Sequence, residues 1–258
     1  MFVDNPNLPE KPVSLMVVDC RISIESEAAL KNMGIELLKL KPHPGLYEAV
    51  SSHPDMLLHH LGGNLIVYAP GTDKTLLDKL TEYGFSLIKG ESLLSPSYPA
   101  DIAYNIARVG KWYFHNLKHT DPVAKKHLDK LGIEPVHVEQ GYSKCSILPV
   151  DSHTIITTDI GIAKAADKKG IDVLFLDGER SICLPGLNYG FIGGAGGMVD
   201  KAVCALNGNI GKLDCNSILS SFASRRGIII KSLSNSHVTD IGSMLPLMVR
   251  VQTSDTVE

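Results

Sequence analysis

Charge of one sign is massed nowhere in this chain. Across 258 residues, 25 lysines and arginines are scattered against 28 aspartates and glutamates, for a formal net charge of −3. That leaves no electrostatic footprint for a phosphate backbone or an anionic membrane, and nucleic acid is not an expected partner. Long apolar runs are missing as well. No segment approaches bilayer length, and the start "MFVDNPNLPEKPVSLMVVD" has prolines and acids where a signal peptide has a basic start and an unbroken apolar stretch. A soluble, cytoplasmic protein with no membrane partner is the expectation. Cysteine is sparse: Cys20, Cys145, Cys183, Cys204 and Cys215 are odd in number and show no CxxC spacing. Neither a disulfide framework nor a cysteine zinc site is signalled, and reduced thiols are expected.

What is present is a repeat. "DMLLHHLGG" and "NLIVYAPG" read as paired strands around a glycine turn, "TDKTLLDKLTEYG" as a capped helix with a glycine stop, and "FSLIKG" as a closing strand. The order returns in "IAYNIARVG", "KWYFHNLKH", "TDPVAKKHLDKLG", "IEPVHVEQG", where Pro122 sits in a first helical turn. It returns again in "KCSILPVDS", "HTIITTD", "IGIAKAADKKG", "IDVLFLDG", and in "YGFIGGAGG", "KAVCALNG", "DCNSILSSFASRRG", "IIIKSL". Ahead of these, "VSLMVVD", "SIESEAALKNMG" and "IELLKL" form an abbreviated copy. A period of roughly 40 to 50 residues belongs to arrays and propellers. The amphipathic helix in each copy disfavours an all-β propeller, and about three strands per helix disfavours a doubly wound sheet. The expectation is a single domain over residues 1–258, with units at about 14–40, 53–90, 101–141, 142–178 and 188–246.

Five ββαβ-type units resemble the pentein, or guanidino-group-modifying enzyme, fold: an α/β propeller around a pseudo-fivefold axis with helices outside and the site in the central channel. The chain also resembles an uncharacterised clostridial-type family assigned to that fold, in "DIAYNIARVG", "QGYSKC", "GFIGGAGG" and "DIGSMLPL". The resemblance implies a cysteine nucleophile near the chain end, a histidine opening the fourth unit, and carboxylates that fork onto a guanidinium. Here the cysteine position falls at about Gly242, and the histidine position at Lys144 or Cys145. Both standard positions are substituted.

The remaining candidates follow. On a strand only one of Lys144 and Cys145 can face the channel, and Cys145 shares its side with apolar Ile147 and Pro149, which favours packing. If "GYS" bends the chain, both line the site and a neighbouring ammonium can activate the thiol. Asp55 matches the first substrate-holding carboxylate in the resemblance; the alternative is a His53-Pro54-Asp55 turn. Asn105 is a clamp or a substrate contact, and Asp159 a site carboxylate or a helix cap. Gly193 and Gly194 permit close backbone packing or approach of a ligand. The glycine pattern fits neither a dinucleotide fingerprint nor a phosphate loop, so no cofactor is expected. His59 and His60 alternate across a strand, and no metal is expected. His237 and Asp240 fall in the loop that delivers the catalytic residue of penteins.

The preferred reading is a protein that binds a small polar molecule, guanidino or amino-acid-like, without the standard Cys-His chemistry. One alternative is an enzyme with Cys145 as nucleophile, assisted by Lys144 or His237, acting on a C–N bond of a guanidine or amidine. The other is a structural or protein-binding propeller. The sequence leaves the oligomeric state open.

Overall fold

The computed structural model describes residues 1–251. The first unit contains β1 (Val13–Asp19), α1 (Ile24–Asn32) and β2 (Glu36–Leu40). The second runs α2 (Pro54–Leu57), β3 (Leu58–Gly62), β4 (Leu65–Tyr68), α3 (Lys74–Glu82), β5 (Ser86–Lys89). The third runs β6 (Ala107–Val109), β7 (Trp112–His115), α4 (Pro122–Lys130), β8 (Glu134–His137). The fourth runs α5 (Ser143–Ser146), β9 (Ile147–Asp151), β10 (Thr154–Thr157), α6 (Ile160–Asp167), β11 (Asp172–Phe175). The fifth runs α7 (Ile192–Ala195), β12 (Gly196–Asp200), β13 (Val203–Leu206), α8 (Asn216–Arg225), β14 (Ile229–Ser232). The last strand, β15 (Leu245–Val249), returns to pair antiparallel with β1. The strand that the abbreviated first copy lacks in sequence order therefore comes from the far end of the chain.

Every sheet has three strands, the middle one parallel to the strand after its helix and antiparallel to its other neighbour, which precedes it in four sheets and is β15 in the first. Local chemistry sets the helix limits. Ser23, Asp73, Asp121 and Asp159 each accept a hydrogen bond from a first-turn backbone N–H, satisfying donors that a helix start leaves free. The five longer helices are each followed by a left-handed glycine, Gly34, Gly84, Gly132, Gly170 and Gly227, which stops the helix and turns the chain back to its sheet. One buried cluster includes Leu15 and Val17 from the first unit, Met56 and Ile66 from the second and Tyr104 and Tyr113 from the third, and another includes Leu148 from the fourth and Ile192, Met198 and Leu206 from the fifth.

One local expectation is corrected. "DMLLHH", "KCSILP" and "GFIGGAGG" are not strands throughout; each begins with a short helix, α2, α5 or α7, before the strand starts. Ile102–Ile106 is likewise irregular ahead of β6.

These five inner segments meet in a closed ring. Asp55 N donates to Gly242 O (3.1 Å), and Ile241 N and Ser243 N donate to Gly194 O (3.1 and 2.8 Å). Lys144 Nζ reaches Gly193 O (3.4 Å), Lys144 N donates to Asn105 O (3.2 Å), and Asn105 Nδ2 returns to Asp55 O (3.3 Å). Each inner segment is thus tied to the next around a common centre.

Burial lowers the pKa of His59 to about 3 and of His60 and His115 to about 4, against an ordinary 6.5. These groups stay neutral in the fold but take protons in the unfolded chain, so their stabilisation is complete above pH 6.5 and is lost as pH falls toward 4. Each adds a slope of up to about 1.4 kcal/mol per pH unit in that window. Urea unfolding at pH 7.5 and 5.5 is expected to give a clear loss at the lower pH, and a shallower one in His60→Gln.

Candidate functional site

The ring places chemistry at its centre because the same registers recur in each unit. The residues two positions before the inner strands are Met56, Asn105, Cys145, Gly194 and Ser243; those five positions before are His53, Ile102, Tyr142, Phe191 and Asp240. Cys145 lies on the turn of α5 rather than on a strand, so the alternation that would have put Lys144 and Cys145 on opposite faces does not apply. Both are buried at the centre.

Asn105 organises this turn. Its Oδ1 accepts from the N–H groups of Lys144 (2.7 Å) and Cys145 (3.3 Å), and its Nδ2 points at Cys145 Sγ (3.1 Å). These bonds make Asn105 a clamp for the turn, set against the Cys145 sulfur. The Cys145 thiol donates to Asp55 Oδ2 (3.1 Å), which also lies 2.6 Å from Ser243 Oγ. Lys144 Nζ donates to the same hydroxyl (2.8 Å), so Ser243 relays between the ammonium and the carboxylate. Ser243 holds φ +71°, a left-handed backbone rare for a residue with a Cβ.

His53 lies between two carboxylates, with Nε2 3.9 Å from Asp19 and Nδ1 3.9 Å from Asp240. Neither ring nitrogen, nor Asp55 Oδ1, has a hydrogen-bond partner among the described residues, although all three are buried. Asp240 accepts from Phe191 N (2.9 Å) and Gly242 N (2.9 Å). Arg21 neutralises Asp19 through paired contacts of 2.6 and 3.0 Å. The ligand atoms of His53, Asp55 and Cys145 lie within 4.8 Å of one another.

Above this floor opens a cavity of about 230 Å³, lined by Tyr47, Val50, His53, Tyr142, Cys145, Leu184, Leu187, Asn188, Tyr189, Phe191 and Asp240. Tyr142 stacks near Phe191 with centroids 6.3 Å apart, and Tyr189 meets Phe191 edge-on at 5.9 Å. The Tyr142 hydroxyl donates to buried Asp101 at 2.5 Å. A neighbouring cavity of about 470 Å³ shares Tyr47, Leu187 and Asp240.

Burial is the first cause that raises the pKa of Asp101 and Asp240. It also pushes the Cys145 thiol well up, reinforced by Asp55 and Asp240, and lowers that of Lys144. Without a positive charge in the cavity, Cys145 is a thiol.

Other residues fall differently. His237 is exposed on the surface: Val238 and Asp240 point inward along an extended stretch tied to Cys183, which turns His237 and Thr239 the other way. It lines no part of the cavity. Asp159 caps α6 through Ile162 N (2.8 Å) and holds Gln140 Nε2 (3.2 Å), away from the cavity wall. Gly193 and Gly194 serve close packing. A Cβ on Gly193 would lie 2.3 Å from Ile147 O, and one on Gly194 2.0 Å from Asp240 Oδ1. Gly242, where the resemblance puts the nucleophile, has φ +66° and room for no side chain, since a Cβ would lie 2.1 Å from that of His53. The fold has closed over that position. Tyr142, Asp101 and Ser243 were not among the sequence candidates; the strand-register match would have singled out Tyr142 and Ser243.

Alkylation at neutral pH, followed site by site with mass spectrometry, is expected to label exposed Cys183 first and Cys145 with the slowest group, beside buried Cys204 and Cys215.

Comparison with solved structures gives the same architecture over 96 to 97% of the chain. An inosamine-phosphate amidinotransferase from Streptomyces griseus aligns with a TM-score of 0.62 at 12% identity, covering 96% of this chain and 97% of that one. A C. jejuni agmatine deiminase aligns with a TM-score of 0.60 at 10% identity and 97% coverage of both chains. An amidinotransferase from Microseira wollei, of a saxitoxin biosynthetic pathway, aligns at 0.59 with 12% identity, covering 96% of this chain and 98% of that one. At such identities the likeness establishes the fold, which is the pentein α/β propeller. No curated protein matches the sequence. No helix among the described residues is long and apolar enough to cross a membrane. A family model matches residues 17–245, and the chain accordingly belongs to the family of unknown function DUF6873.

Proposed function

We propose that the chain binds a small organic cation of the guanidino or amidino class in the aromatic-walled central cavity. The observation that carries this reading is a surplus of buried carboxylate. Asp240 lines the cavity, with Asp55 buried behind Cys145 and Asp101 behind Tyr142, whereas Arg21 is committed to Asp19, Arg108 is turned away to the Leu61 and Gly110 carbonyls, and Lys144 is the buried cation that reaches this group through Ser243. Burying uncompensated carboxylate is costly, and a bound cation offsets that cost. Asp55 Oδ1, buried behind Cys145 and without a hydrogen-bond partner among the described residues, is an unused acceptor for an N–H group. Tyr47, Tyr142 and Phe191 supply faces on which a planar cation can stack. The related structures support the class, being enzymes named for amidino transfer and agmatine deimination.

Titration calorimetry with arginine, agmatine and methylguanidine tests this. At least one is expected to bind, and Asp240→Asn is expected to weaken it at least about tenfold, or roughly 1.4 kcal/mol. A ligand at 100 times its Kd adds about 2.7 kcal/mol to stability, which thermal unfolding reads independently. No binding and no shift for any cation would overturn the reading.

A second reading makes the site catalytic, on the observation that Cys145 lines the cavity and donates to Asp55. A cation beside the sulfur lowers the thiol pKa, and Asp55 Oδ2 is placed to take the proton. The thiolate then bonds to the guanidino carbon, the C–N bond to the leaving amine breaks, and that amine carries the proton away; water releases the thiol afterwards. Cys145→Ala is expected to retain the ligand and abolish amine release. Turnover unchanged in that variant would remove this reading.

A further inference from the structure

We propose that His53, Asp55 and Cys145 form a binding site for a divalent transition metal, zinc above all, with its open coordination position facing the central cavity. The three ligand atoms lie within 4.8 Å of one another and come from two different inner segments, so the ring itself brings them together. All three residues are almost wholly buried, at 1 to 2% exposure. One imidazole, one carboxylate and one thiolate suit zinc, and three protein ligands with a fourth position open is the arrangement of reactive rather than structural zinc sites.

The surroundings match what such ligands need. Both ring nitrogens of His53 lack hydrogen bonds among the described residues, and each faces a carboxylate at 3.9 Å, Asp19 on one side and Asp240 on the other. Whichever nitrogen holds the metal, the other has an acid to orient its N–H, as ligating histidines require. Asn105 Nδ2, 3.1 Å from Cys145 Sγ, donates to the sulfur and favours its anionic form. Ser243 fixes Asp55 Oδ2 at 2.6 Å. The Cys145 Sγ to Asp55 Oδ2 separation of 3.1 Å is already close to the roughly 3.5 Å spanned by a sulfur and an oxygen on one tetrahedral zinc, given bonds of about 2.3 and 2.0 Å.

Binding replaces the thiol proton: Cys145–SH and M²⁺ give Cys145–S–M⁺ and one released H⁺, with no change of oxidation state. M²⁺ and Lys144 then offset the Cys145 thiolate, Asp55 and Asp240, while Asp101 stands apart on the Tyr142 hydroxyl. This proposal stands independently of the organic cation. Both species neutralise the same carboxylates, but only the metal requires the thiol and the imidazole, and the two exclude each other.

The test is titration of the chain with Co²⁺ followed by optical spectroscopy. One equivalent is expected to produce a thiolate-to-cobalt charge-transfer band together with the intense visible bands of a four-coordinate ion, both displaced by Zn²⁺. Cys145→Ser should abolish the charge-transfer band, and His53→Gln should weaken binding at least tenfold, with near-ultraviolet circular dichroism confirming the fold. Should either variant fail to fold, zinc X-ray absorption on the unaltered chain decides: one sulfur and at least one imidazole in the first shell is expected. Absence of a thiolate band at equimolar Co²⁺, its survival in Cys145→Ser, or a zinc shell without sulfur would overturn the site. Guanidino binding that persists while the cobalt site fails, or the reverse, tells the two proposals apart.

Discussion

The closed contact of five inner segments around one centre is the constraint on which the rest of this structure depends. Each unit alone is a three-stranded sheet with one long helix, too small to bury its own faces. Apolar clusters buried between the sheets join them, and so does the ring. Its closure demands that backbones approach closely, which is why Gly193, Gly194 and Gly242 stand where a Cβ would overlap Ile147 O, Asp240 or His53. It also buries polar backbone groups outside any sheet, and Asn105 answers that need by serving Lys144 N, Cys145 N and Asp55 O at once. The return of β15 to β1 locks the ring from the chain's far end.

That geometry decides the chemistry of the centre. The short turns before the inner strands aim their residues at the axis, and the chain has filled those positions with Asp55, Asn105, Cys145 and Asp240 rather than with leucine or valine. The result is a floor richer in acid than in base under a largely apolar wall. Lys144 offsets part of that charge through Ser243, and the remainder is what the proposed cation, organic or metallic, would neutralise. The thiol belongs to the same balance: burial first, and then Asp55 and Asp240, push its pKa well up and hold Cys145 protonated.

Much of the fold was legible because its signals are local and repeat. The caps at Asp73, Asp121 and Asp159 and the glycines behind the helices recur with the unit, and they set the strand-helix-strand order without tertiary knowledge. The site was legible only in part. His53, Asp55, Asn105, Cys145, Lys144 and Asp240 do converge, but the helical turn at Ser143–Ser146 was hidden, since four residues of helix carry no periodicity. His237 misled for a related reason: its place in the right loop says nothing about which way an extended residue points, and Val238 took the inward position. Ser243 escaped notice because an isolated serine has no signature until its position before β15 is matched with that of Cys145 before β9.

The central claim is that the acidic floor exists to hold a cation. A crystal structure of the chain grown with saturating methylguanidine, under metal-free conditions, addresses it most directly. The account predicts a planar cation against Tyr142 or Phe191, with N–H groups on Asp55 Oδ1 and Asp240 and its carbon facing Cys145 Sγ. A cavity holding only ordered water, with the carboxylates bridged by it and no cation at any occupancy, would contradict the account.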